Sequence, residues 1–140
     1  MGEGFDWPSL SLEQLERDVW GKPDYDSYLV STCHRLRNKP LREFTVEDLR
    51  IMLGQQISLP ILMPMAIEVL EQKPFAAGDY YRGDLLNNAL RVDPKFWKKH
   101  PKLWHRIDTI ACEVDQLVRM SQELLIPAWK EFQKAYPSDE

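Results

Sequence analysis

Apolar residues recur at spacings of three and four along most of the chain, and no stretch keeps the two-residue alternation of a half-buried strand. No Asn-Gly or Asp-Gly hairpin signal is present. The pattern predicts a first helix after Ser11, with Gln14 completing a capping box and Leu12, Leu15 and Val19 as its inner stripe. Gly21 and Pro23 should end it. A second helix is predicted from near Asp26 to Arg37, burying Leu29, Val30, Cys33 and Leu36, and broken at Asn38-Lys39-Pro40 because the residue before proline avoids helical geometry. A third, over 46–53, opens on Thr45 as N-cap with Asp48 three residues on, and places Leu49, Met52 and Leu53 on one face. Gly54 can end or bend it, and Ser58 with Pro60 can restart the chain as a fourth helix over 59–71. Ile61, Met65 and Val69 with Leu62, Ala66 and Leu70 give that helix a broad apolar face, so it should be central; Pro64 should kink or delay it. Gly78 to Gly83 reads as a turn-rich loop exposing Tyr80 and Tyr81. Short helices follow Asp84 and Asp93-Pro94. The last helix should run over 101–136, with a seam of Leu103, Ile107, Ile110, Val114, Leu117 and Leu124 and a kink or break at Pro127. The expected fold is all-α, one domain over 1–140, a compact bundle of about six to seven helices with a long C-terminal helix.

Three blocks carry a specific resemblance: LEQLERDVWGKPDYDSYLVSTCHRLRNKPL over 12–41, FTVEDLRIMLGQQISLPILMPMAIEVLE over 44–71, and PFAAGDYYRGDLLNNALR over 74–91. In the order and spacing of Trp20-Gly21, Thr32-Cys33-His34, Lys39-Pro40-Leu41, the VEDLR run, Gly54-Gln55 and the GD…GDLL run, the chain resembles the small helical immunity proteins of bacterial contact-dependent growth inhibition systems. Ser58 stands where such sequences tend to carry glycine, and Arg82 where they tend to carry proline. The resemblance implies a cytoplasmic protein that binds and neutralises one cognate toxin domain, one to one, without catalysis.

Composition narrows the picture further. The 140 residues suffice for a sizeable core, and 44% apolar with 29% charged residues is ordinary for a globular protein. No apolar run reaches the roughly 18 residues of a membrane span. The opening MGEGFDWPSL lacks the basic start of a signal peptide, and two cysteines in helical segments do not make a disulfide framework; both point to a reducing cytoplasm. The net charge of −4 is concentrated in residues 1–48, where ten acidic residues face six basic ones. That distribution argues against nucleic-acid binding and permits a basic partner, as a nuclease toxin would be; a plain solvated acidic face is the alternative.

Candidate chemistry is sparse. Cys33 and His34 are adjacent on a helix, about 100° apart, and cannot pair as nucleophile and base. Cys33 falls on the apolar stripe, where a free cysteine acts as a small hydrophobe. His100 and His105 are wrongly spaced for one helical face, and no H-E-x-x-H or C-x-x-C occurs. No glycine cluster suggests a phosphate loop. No catalytic residue, metal ligand or cofactor is therefore expected. Gln55 and Gln56 read as amides that satisfy helix ends, or as recognition groups. Trp20 should pack a helix end into the core, and Trp97 and Trp104 should fix a short helix against the long one.

The expected partner-binding residues are Glu13, Glu16, Asp18, Asp24 and Asp26 in the acidic third, and Asp79, Tyr80, Tyr81 and Asp84 in the loop. The Gly-Asp pairs there serve equally well as turn formers and caps. The expected partner is the toxin domain, with no nucleic acid, membrane or small-molecule substrate. Two other readings remain open: a helical adaptor or assembly subunit whose C-terminal seam pairs with itself, and a small cysteine-dependent enzyme using Cys33 or His34.

Overall fold

A computed structural model of the chain describes residues 4–23 and 27–135. The elements in order are α1 (Leu12–Glu16), α2 (Tyr28–Leu36), a 3-10 turn (Leu41–Glu43), α3 (Val46–Gly54), α4 (Leu59–Gln72), α5 (Asp84–Leu90), α6 (Pro94–Lys99), α7 (Pro101–Met120), a π turn (Ser121–Leu125) and α8 (Ile126–Gln133). The fold is all-α, and α7, the π turn and α8 run on as one rod. No strand occurs among the described residues; a lone bridge pairs Ala77 with Arg82.

Local chemistry explains most of the helix starts. Ser11 and Gln14 form the capping box of α1, and Thr45 and Asp48 that of α3, each side chain accepting from the other residue's backbone N–H. Ser27 caps α2 by accepting from Val30, and Asp93 caps α6 by accepting from Lys95. α4 is the centre of the bundle: Leu62, Met63, Met65, Ala66, Ile67, Val69 and Leu70 are all buried. It packs against α3, α5 and α7, while α3 in turn holds α2 and α5. Trp7 closes the core from the N-terminal segment, and its indole N–H donates to Glu68 at 3.1 Å.

Four features differ from the sequence reading. First, α1 stops at Glu16, because Arg17 turns into the left-handed region at φ 55 and its N–H bonds back to Glu13. Only Leu12 of the expected stripe is buried; Leu15 is exposed and Val19 is 73% exposed. Second, the predicted start of α2 near Asp26 lies outside the described residues; from Ser27 on, Leu29 is exposed and Thr32 takes the buried place instead. Third, Pro64 does not delay α4, which starts at Leu59 and continues through it. The carbonyl that loses its donor is that of Pro60, in the exposed first turn, where water can serve it. Fourth, Trp20 lies at the surface rather than in the core, against Arg37 and His34.

The break between α3 and α4 is the most constrained piece of backbone. Gln56 at φ 55 and Ser58 at φ 52 are both left-handed. Glycine takes that conformation without the Cβ clash that Ser58 bears. Gln56 accepts from the backbone N–H of Asp93 at 2.8 Å, so its amide serves the start of α6 and ties it to the break.

The last rod is packed over only half its length. Ile107 and Ile110 are buried against the core, and Leu103 and Val114 are half-buried. Beyond them the expected seam leaves the body: Leu117 and Leu124 are exposed. Pro127 neither breaks nor ends the rod. It denies a donor to the carbonyl of Glu123, and the π turn over that stretch absorbs the defect.

Candidate partner-binding surface

Two groups of predicted contact residues are held on either side of α3, one by the helix itself and one by the break that follows it. The loop over 78–83 is fixed by the helix. Glu47 and Arg50, one helical turn apart, form a two-pronged ion pair, with Arg50 Nε donating to Glu47 Oε1 at 2.6 Å. The same Glu47 oxygen accepts from the backbone N–H of Asp79 at 2.8 Å. The guanidinium carbon of Arg50 lies 4.1 Å from the centre of the Tyr80 ring, a cation–π contact that pins an otherwise exposed tyrosine. From the other side, Asp84 accepts from the backbone N–H groups of Gly78 at 2.7 Å, Tyr80 at 3.1 Å and Tyr81 at 3.3 Å. Gly78 leaves room for this seating: a Cβ there would stand 2.3 Å from Glu47 Oε1 and would have to displace that carboxylate.

The electrostatics follow from that geometry. Burial pushes the Asp84 carboxyl up, but the three backbone donors and the Arg50 guanidinium outweigh it and hold the group below its ordinary range. The hydrogen bonds from Arg50 pull Glu47 down in the same way, and Arg50 is raised in turn. Both carboxylates are thus ionised parts of the scaffold.

At the break after α3, Arg37 organises the acidic segment. Its side chain is 2% exposed, ion-paired with Glu16, and donates to Ser58 Oγ at 3.3 Å and to the Asp18 carbonyl at 2.6 Å. Trp20 covers its guanidinium carbon at 4.5 Å. Ser58 Oγ also donates to Glu16 at 3.1 Å, so the left-handed break after α3 and the end of α1 are stitched together. His34 Nδ1 donates to the Gly21 carbonyl at 3.0 Å and holds the same segment onto α2.

The predicted contact residues therefore separate into two kinds. Asp18, Asp79, Tyr80 and Tyr81 are exposed, and Tyr80 is 74% so. Glu13 is half-buried, and the Asn38 amide, turned to satisfy both groups, donates to its two oxygens at 3.1 and 3.0 Å. Glu16 is exposed but engaged by Arg37 and Ser58, whereas Asp84 is buried at 2% exposure. Asp84 shapes the surface rather than forms it, because a buried carboxylate with its lone pairs filled offers nothing to a partner. Asp24 and Asp26 lie outside the described residues. Around the acidic group the structure exposes apolar side chains that the helical pattern had assigned to the interior: Leu15, Val19, Trp20 and Leu29, beside Tyr28. The left-handed residue Arg17 would have been the signal, but arginine carries no mark of that conformation.

The other candidate chemistry resolves into structure. Cys33 is buried, and burial pushes its thiol up, away from the reactive thiolate. Among the described residues no group of three His, Cys, Asp or Glu could hold a metal ion. No described helix is long and apolar enough to cross a membrane.

A family model described as CDI immunity proteins matches residues 14–107, well over half of the chain. No curated protein matches it.

Proposed function

The chain belongs to the CDI immunity protein family, and on that premise we propose that it binds one cognate toxin domain, one to one, and neutralises it by covering the active site. The family match carries this reading, since residues 14–107 take in the tyrosine loop and all of the acidic segment but Glu13. The protein acts as a binder in the cytoplasm and performs no chemistry of its own. A nuclease is the toxin that fits best. Its cleft must attract a polyanion and is basic, and exposed carboxylates such as Asp18 and Asp79 can meet it. Val19, Tyr28, Tyr80 and Tyr81 supply the apolar and aromatic anchors that charge alone lacks. A complex of ordinary size would bury about 1,600 Å² in total.

The test is a variant carrying Asp18→Lys, Asp79→Lys and Tyr80→Ala, introduced into cells that produce the toxin domain. The expected result is lost protection with an unchanged far-ultraviolet circular dichroism spectrum. Glu16 and Asp84 are left alone, since changing them would injure the fold. Full protection by the triple variant would remove this surface.

A further inference from the structure

The end of the molecule that the family match does not reach is also the end with an uncovered apolar face. The match stops at residue 107, and from 115 to the last described residue, 135, only Ser121 and Ile126 are even half-buried. Leu117, Met120, Leu124, Leu125 and Trp129 are all exposed, Leu124 by 65%. At about 1.5 Å of rise per residue, the stretch from Leu117 to Trp129 is about 18 Å long. A continuous apolar stripe on a well-formed rod marks a surface that another element covers.

The charges on the rod say what that element is. From 113 on, the part nearer the body carries Glu113, Asp115 and Glu123 against Arg119, which pairs with Asp115 at 2.9 Å; the far part carries Lys130 and Lys134 against Glu131, which pairs with Lys134 at 3.3 Å. This outer stretch of the rod is net acidic towards the body and net basic towards residue 135. A second copy laid antiparallel sets each acidic half beside the other's basic half, and aligns the two helix dipoles favourably. Such a two-fold contact is self-complementary, as symmetric dimers require. A parallel pair would set like halves together. We propose that this protein forms an antiparallel homodimer through the exposed stripe of its C-terminal rod, centred near Leu124 and Leu125. This goes beyond the immunity reading and does not depend on it.

The experiment is sedimentation equilibrium of the full chain over rising concentration, without toxin. The apparent mass should climb from 16.5 kDa towards twice that value. Leu124→Glu with Trp129→Glu should hold it at the monomer mass, with the helical spectrum retained because both side chains are exposed. Glu113→Lys with Asp115→Lys, and Lys130→Glu with Lys134→Glu, should each be monomeric alone and form a dimer when mixed. Orientation is read at Cys112, which is exposed while Cys33 is buried. In the antiparallel pair the two Cys112 residues stand about 36 Å apart along the rod, so a short bismaleimide should not link them. A chain monomeric at its highest soluble concentration overturns the proposal. So does a dimer indifferent to the stripe variant, or one linked efficiently through Cys112. A monomer whose stripe variant loses toxin binding would assign the stripe to the toxin instead.

Discussion

Arg37 is the residue on which the surface depends most. A guanidinium at 2% exposure, spread over Glu16, Ser58, the Asp18 carbonyl and the Trp20 ring, cannot be removed without losing several charge-assisted hydrogen bonds at once. Hydrogen bonds to a charged group are worth about 1.5–3 kcal/mol. Arg37→Ala should therefore lose stability of that order in urea titration; a loss under about 1 kcal/mol, the size expected of an exposed pair, would contradict the assignment. Asp84 and Glu47 give the acid limb of stability. Both are held below their ordinary values when folded, so their contribution is present above the unfolded carboxylate range and is lost as pH falls through their folded values. The urea midpoint should be flat near neutrality and decline below pH ~4, with Asp84→Asn less stable at pH 7 and less steep in acid. An identical acid slope in the variant would count against this role. At this scale legibility followed sequence distance. The boxes at Ser11/Gln14 and Thr45/Asp48 span three residues and were readable. The Arg37–Glu16 and Ser58–Glu16 contacts span 21 and 42 residues, and nothing local announces them.

At the scale of elements, amphipathic spacing located every helix, and most errors fell where the spacing continued past the helix. α1 ends three residues before Val19 although the apolar rhythm does not, because Arg17 and the pull of Arg37 on Asp18 turn the chain away. The C-terminal rod shows the opposite case: the helix continues but the body beneath it stops. Periodicity reports which face is apolar and is silent on whether anything covers it. The tyrosine loop was readable as a loop from its glycines, while its attachment to α3 through Glu47 was not. That attachment is testable. Gly78→Ala pushes a Cβ into Glu47 and must lift the loop or part the Glu47–Arg50 fork. The loss should be about 1–3 kcal/mol, read from the urea midpoint, with hydrogen exchange at Asp79, Tyr80 and Tyr81 speeding up. Unchanged exchange at all three would mean that the loop is held some other way.

At the scale of the molecule, a central α4 fixes α3, and α3 and the break after it hold the two candidate contact groups: the loop at Glu47 and Arg50, and the acidic segment at Ser58. Fold class and family were both legible, the first from spacing and the second from three blocks of residues now matched over 14–107. The binding surface was legible only in part. Its charge is written in the sequence, but which carboxylates are free is decided by contacts the pattern does not show: Asp84 faces in, and Glu16 is engaged by Arg37 and Ser58. The identity of the toxin resides in the other half of the complex. The most direct measurement is titration calorimetry of this chain with the toxin domain of its own inhibition system. The account predicts saturation at one toxin per chain, with a Kd of nanomolar order, about −12 kcal/mol, weakening as salt rises because acidic groups meet a basic cleft. No heat and no co-purification with that domain would contradict it.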